Sequence, residues 1–297
     1  MKNQTRAYIY ALATVTFWST IATASKLSLR GLKPAELLLI AATVSTILLF
    51  CVVIWERKLS LLTKAPFKQW LGSFCFGALN PFLYYLVLFK AYDLLPAQQA
   101  QIINYTWAIT LSLLSIPFLG QKVSLRQWLA IVLSYTGVLV IATNGNPFSL
   151  HFDNPKGIGL ALLSTLIWAM YWILNTRDKR DSVVGLLQNF ICAMPLIILY
   201  VVFVEGMEPV STGALIGAIY IGIFEMGLSF VLWLKAMKLT TSTARIANLI
   251  FIAPFGSLFL IHFFVGEEIA FSTIIGLIFL LGGLAVQSFQ KKTQEIA

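Results

Sequence analysis

Glu225 is the residue whose chemistry first needs an explanation. It stands near the middle of the apolar run 211–234, about ten residues or about 15 Å from either end at the rise of an α-helix. A carboxyl group so deep in apolar surroundings is costly unless it faces a cavity or a partner. Two chemistries fit. Glu225 meets an amine, a cation or a proton admitted to the interior, or it is a protonated acid bonded to a neighbouring helix. Asn80 occupies a matching place in the run 69–90: it lies ten residues before Lys90-Ala91, as Glu225 lies ten before Lys235-Ala236. Asn80-Pro81 also frees backbone carbonyls, as helices that bend around a site do. Trp168, Tyr171, Trp172 and Asn175 fall on one helical face. Asn104 and Trp107 are three apart, Tyr84 is one turn from Asn80, and Asn248 lies deeper than Arg245 on a shared face. Such residues either line a cavity that stacks on flat, apolar molecules or serve as packing and interfacial anchors. The expected cavity is therefore Asn80, Tyr84, Asn104, Trp107, Trp168, Tyr171, Glu225 and Asn248.

Other chemistry finds little support. His151 and His262 are far apart in sequence, with no ligand cluster around them, so neither a metal nor a cofactor is expected. Cys51, Cys75 and Cys192 are scattered inside apolar runs, which argues against a disulfide framework. The net charge of +9 invites a nucleic-acid partner, but the cations sit between the apolar runs, with no long basic block and no phosphate loop.

The elements that must position these residues are membrane helices. Of the 297 residues, 59% are hydrophobic and 11% charged. That is too little charge to cover a soluble domain. A span needs about 20 mostly apolar residues, and ten runs qualify: 7–25, 35–55, 69–90, 97–118, 125–143, 157–175, 183–204, 211–234, 242–264 and 270–289. With the N-terminus inside, only Lys26, Arg30, Lys33, Lys90 and Lys156 of the 21 lysines and arginines fall outside. The positive-inside bias then puts both termini in the cytoplasm of a multi-pass cell-membrane protein. Lys26, Arg30 and Lys33 in the first outside link are its exception.

The halves of the chain repeat. Phe17-Trp18-Ser19 answers Ile167-Trp168-Ala169, and Phe89-Lys90-Ala91 answers Leu234-Lys235-Ala236. Gly120-Gln121-Lys122 answers Gly266-Glu267-Glu268, and Gly137 answers Gly283. The last two landmarks are 17 residues apart in both halves. Residues 1–147 and 148–297 are thus expected to be two five-helix units. Five is odd, so the units cross the membrane in opposite directions, as in many secondary transporters.

These segments resemble the drug/metabolite transporter superfamily, in its EamA-type branch of ten-helix exporters, over nearly the whole chain. Asn104-Tyr105-Thr106-Trp107-Ala108 with Gly120-Gln121-Lys122 is similar to the Asn-Tyr-Leu-Trp-Pro and Gly-Gln-Lys segments of the aromatic amino acid exporter subgroup. Ile167-Trp168-Ala169-Met170-Tyr171 resembles that subgroup's sixth helix. Ala108 departs from the pattern's proline, which predicts a straighter fourth helix. The resemblance implies an all-α membrane protein of ten transmembrane helices in two inverted repeats. It further implies export of a small metabolite, an amino acid or related amphipathic compound, by alternating access. The alternative is a cationic drug or another metabolite class. No ATP-binding motif is present, so transport would run downhill or be coupled to an ion gradient, with Glu225 the proton-coupling residue. The expected partners are the substrate and the lipid bilayer, with the chain a monomer or homodimer.

Overall fold

The computed structural model describes residues 2–120, 124–148, 152–175, 177–240, 246 and 248–294. These form helices and turns, with no strand among the described residues. Among the described residues eight helices are long and apolar enough, by length and composition, to cross a membrane. They are α1 (Asn3–Ser28), α2 (Pro34–Trp55), α3 (Phe67–Leu94), α4 (Ala97–Leu119), α5 (Leu125–Ala142), α6 (Pro155–Asn175), α7 (Ser182–Glu205) and α8 (Thr212–Leu239). The two remaining expected runs are α9 (Ala253–Val265) and α10 (Phe271–Gln294). Among the described residues their apolar helical stretches are shorter than the other eight. A 3₁₀ turn, Asn248–Ile252, leads into α9, whose Pro254 sits in the first turn; Arg245, Gln121 and Lys122 lie outside the described residues.

Local chemistry sets the ends. Pro34, Pro96 and Pro155 stand at helix starts, where the missing N–H would have no partner anyway. Ser124 and Gln127 form a reciprocal capping box on α5. Asp181 caps α7 by accepting from the N–H groups of Val183 and Val184 at 3.1 and 3.2 Å. α4 and α9 both end on left-handed glycines, Gly120 (φ 66°) and Gly266 (φ 80°). The two glycine landmarks of the repeat are therefore the same structural device.

Two helices lose regularity at mid-length. α3 breaks at Asn80 (φ −146°, ψ 116°), followed by a cis bond to Pro81. α8 widens into a π-helical stretch, Ile221–Leu228, around Glu225. The expected straight α4 is instead interrupted at Thr106, between regular segments Ala97–Tyr105 and Trp107–Leu119. The Thr106 hydroxyl bonds the Ile103 carbonyl at 2.7 Å, and such local back-bonding bends a helix without any proline.

The packing has a regularity of its own. α1 packs on α8 and α3 on α6; α4 packs on α6 and α9 on α1; α3 packs on α7 and α8 on α2. Each pair turns into the other when the first five helices are exchanged for the last five. α2–α7 and α5–α10, the most extensive contact, map onto themselves. In α5–α10, a Cβ on Gly137 would meet the Gly276 carbonyl at 2.6 Å, and one on Gly283 would meet the Ala130 carbonyl at 2.6 Å. The chain rises from 130 to 137 as it falls from 283 to 276, so the two helices run antiparallel. In α8, Gly217 closely approaches Ser28, whereas Gly213 faces open space. Gly222 comes up against backbone, the Ala41 carbonyl of α2, with 2.5 Å to a Cβ placed there.

The three cations expected in the first link, of which Lys26 proves to lie in the last turn of α1, each reach the C-terminus of another helix. Lys26 Nζ donates to the carbonyls of Tyr92 and Leu95 at 2.8 and 2.7 Å. Arg30 donates to the Val265 carbonyl at 2.9 Å, and Lys33 to that of Glu205 at 3.1 Å. A cation there meets the negative end of the helix dipole. Their place is set by helix capping, which explains why they break the charge bias. The outward faces carry Ile47, Ile216, Phe259 and Ile278, all exposed, as a lipid-covered surface requires.

Candidate functional site

A cavity lies in the middle of the bundle, with about 80 Å³ open to the centres of water molecules, room for several waters. Both halves build it. α3 supplies Tyr84 and Leu88, and α8 supplies Glu225, Phe230 and Trp233. α4 brings Gln101, Asn104 and Trp107, and the turn before α9 brings Ile250. α1 adds Trp18, and α6 adds Trp168 and Trp172. Among the described residues no lysine, arginine or histidine lines it.

Trp168 is the centre of its aromatic wall. It is stacked on Tyr84 (centroids 4.3 Å apart) and on Tyr171 (5.5 Å). The rings of Trp107, Trp172 and Phe230 meet it edge-on at 6.5, 5.9 and 5.9 Å. Edge-to-face and offset pairs of this kind fix ring orientation as well as burying area. Opposite, Trp18 lies 5.2 Å from Trp233.

Polar groups are placed by bonds across helices. The Tyr85 hydroxyl donates to Glu225 Oε1 at 3.0 Å. Glu225 Oε2 is buried and meets no hydrogen-bond partner; the whole residue is 9% exposed. Asn104 Nδ2 donates to Ser164 Oγ at 2.9 Å, while its Oδ1 lies 3.4 Å from the Tyr84 hydroxyl. Ser257 donates to Gln101 Oε1. The result is a carboxyl group in the wall of an aromatic chamber, with one of its oxygens left without a hydrogen-bond partner. Such a chamber suits an ammonium or guanidinium group, held by the carboxylate and by ring faces.

Of the expected residues, Tyr84, Asn104, Trp107, Trp168 and Glu225 meet at this cavity. Asn80 does not: it is fully buried in the break of α3, its amide without a partner of good geometry, facing Tyr171. The reason is the break itself, because the non-helical Asn80 backbone turns the side chain off the helical register that Tyr84 follows. Tyr171 stacks on Trp168 but lines a second space. Asn248 opens the turn before α9, and its side chain lies outside the described residues. Reading the sequence for site residues misses Trp18, Gln101, Tyr85 and Trp233. Trp18 had a signal: it is the repeat partner of Trp168.

The second space, about 70 Å³, lies below the first toward the α6–α7 link. Trp172 and Phe230 form a wall common to both. Its polar end is Arg180 with Asp178. Burial pushes the Asp178 carboxyl up, but the bonds from Arg180 bring it net below its ordinary range.

The chain matches the EamA-like transporter family over residues 5–143 and again over residues 155–289. It belongs to that family. The two matches divide the chain much as its sequence landmarks do. Several relatives of this EamA-family chain carry transporter names. An uncharacterized transporter of Clostridium kluyveri is 25% identical, with 98% of this chain and 96% of the relative covered. Protein PecM of Dickeya dadantii is 24% identical over 85% of this chain and 84% of its own length. The uncharacterized transporter YvbV of Bacillus subtilis is 23% identical, with 84% and 81% covered. A solved crystal structure, 20% identical, superposes with a TM-score of 0.69 over 97% of this chain and 98% of its own, which establishes likeness of fold. Family and relatives point to a small-molecule transporter in the membrane rather than an enzyme.

Proposed function

We propose that this protein exports a small amphipathic metabolite bearing an amine, an amino acid or close relative, across the cell membrane by alternating access to the central cavity. The carrying observation is the bare Oε2 of Glu225 inside an aromatic chamber built by both halves. Residues 1–147 and 148–297 act as inverted five-helix repeats within ten spans. The antiparallel α5–α10 contact and the exchange of helix pairs between halves support this. The positive-inside bias supports cytoplasmic termini. Asn104-Tyr105-Thr106-Trp107 supports kinship with the aromatic amino acid exporters. Glu225 is the proton-coupling residue on this reading, and the ammonium of the substrate is its other partner.

A second reading, export of purely cationic compounds, draws on the lack of any basic residue lining the cavity among the described residues. Purified protein in liposomes separates the two. Under the first reading, an inward proton gradient drives flux of amino acids, and Trp107→Ala or Trp168→Ala lowers it about fivefold, as expected for loss of an aromatic contact, with the protein still folded. Flux of amines alone selects the second reading. Flux no faster than in empty liposomes for every amino acid and amine refutes both.

A further inference from the structure

The inner cavity holds one ion pair, and that pair is unusually complete. Asp178 grips Arg180 side-on, with Nε at 2.9 and 3.0 Å from its two oxygens and Nη2 at 2.7 Å from Oδ2. The remaining guanidinium hydrogens go to Ser73 on α3 and to Gln188 (3.1 Å) and Asn189 (3.2 Å) on α7. Gly185 makes the seat: a Cβ there would stand 3.4 Å from the guanidinium carbon. Both side chains are largely buried, with 11% and 14% of their surfaces exposed. Asp178, unlike the other partners, is on the link between α6 and α7 rather than on a helix. Trp172, in the wall shared with the central cavity, has a buried indole N–H with no acceptor.

We propose that this inner cavity is a loading site for zwitterions. The ligand's carboxylate takes the side-on place of Asp178 on Arg180, and its ammonium takes Asp178. Ser73, Gln188 and Asn189 hold the guanidinium still while the partners change. The exchange leaves the cavity neutral, with each charge paired before and after. A lone cation or lone anion would break the pair and leave one buried charge without a partner, which is strongly unfavourable. The Trp172 N–H offers the second carboxylate oxygen a donor and marks the way through to Glu225.

This inference rests on the transport reading above, and the test separates the two. In liposomes, flux of L-phenylalanine is measured with competition by phenethylamine (cation only) and 3-phenylpropionate (anion only). Arg180→Gln raises the KM for L-phenylalanine about tenfold, the loss expected of a charge-assisted pair, while competition by phenethylamine holds or strengthens because Asp178 is freed. A merely structural role for Arg180 lowers both alike, which overturns the proposal. Should Arg180→Gln fail to fold, Asp178→Asn decides: competition by 3-phenylpropionate strengthens and that by phenethylamine weakens if the inference holds. Unchanged competition by both overturns it. Wild-type protein that moves no L-phenylalanine refutes the transport reading for this substrate and, with it, the loading site.

Discussion

Glu225→Gln is the substitution that bears most directly on the central cavity. Gln keeps the size of the side chain and an oxygen for the Tyr85 hydroxyl, now 3.0 Å away, so the hydrogen bond that joins α3 to α8 is retained. What changes is the second position, where a bare carboxylate oxygen becomes an amide. A charge-assisted hydrogen bond contributes about 1.5–3 kcal/mol. Losing one therefore weakens binding of an amine about 10- to 150-fold, at 1.4 kcal/mol per tenfold. The aromatic faces of Trp168, Tyr84 and Trp107 remain, so affinity for an uncharged analogue of the same ring should change less than threefold or so. Tyr85→Phe offers an intermediate: it removes only the donor to Oε1, leaves the carboxylate in place, and should weaken binding by less than Gln does. Quenching of tryptophan fluorescence reports binding directly, since several indoles line the cavity. Flux in liposomes reports coupling: Gln abolishes gradient-driven accumulation but leaves exchange of substrate across the membrane. Wild-type affinity for amines in the Gln variant, with accumulation intact, would show Glu225 to be a packing acid and sink the argument for a cation site.

Two further predictions concern the scaffold. Gly283→Ala must part α10 from the Ala130 carbonyl of α5 and should cost about 1–3 kcal/mol, whereas its neighbour Gly282, with no atom within 4 Å of its Cβ position, should accept Ala with a gain of up to about 1 kcal/mol; thermal unfolding in detergent compares them, and equal effects would refute the close α5–α10 seam. Asp181, which caps α7 and pairs with Lys58 at 2.8 Å, is pushed up by burial but brought net below its ordinary value of 3.8 by Lys58 and the cap. A lowered folded value means that its stabilisation is full above about pH 4 and is lost as pH falls through the lowered value. Asp181→Asn, which can still cap, should therefore flatten the acid limb of a melting-temperature profile, and an unchanged limb would refute that assignment.

How much could be read from the sequence differs by element. Apolar length alone gives the eight long helices, because hydrocarbon leaves the backbone no other partner than itself. Gly120 and Gly266 were legible as paired landmarks, and both turn out to be left-handed helix ends. Trp168, Trp107 and Tyr84 could be placed on inward faces because they lie on regular helix. Asn80 could not, because its side-chain direction depends on the break in α3. Nor could Tyr85, whose contact with Glu225 joins α3 to α8 across 140 positions of sequence. Lys26, Arg30 and Lys33 read as topology signals of the wrong sign. Only three dimensions show the carbonyl ends that they cap.

The two links that correspond under exchange of the halves, 29–34 and 177–182, are built for different demands. Both carry cations beside acids, but their surroundings differ. At the first link Lys33 pairs with Glu208 at 2.6 Å with 34% and 64% of the side chains exposed, beside a space of about 490 Å³. An ion pair so wet opens to water at little cost. At the second link Arg180 and Asp178 are mostly buried beside about 70 Å³, and separating them without replacement leaves buried charge unpaired. If the halves alternate and the termini lie in the cytoplasm as proposed, the first link is the outer gate and the second the inner one, and the two are not energetic mirror images. Passage on the inner side calls for a ligand that can replace both members of a buried pair, and passage on the outer side makes no such demand. Selection would then fall at loading from the cytoplasm and release would be permissive, which is the order that an exporter requires. On that proposal the repeat would supply two related conformations, and the residues that break its symmetry, Glu225 against Asn80 and Arg180 against the exposed cations of the first link, would supply the direction.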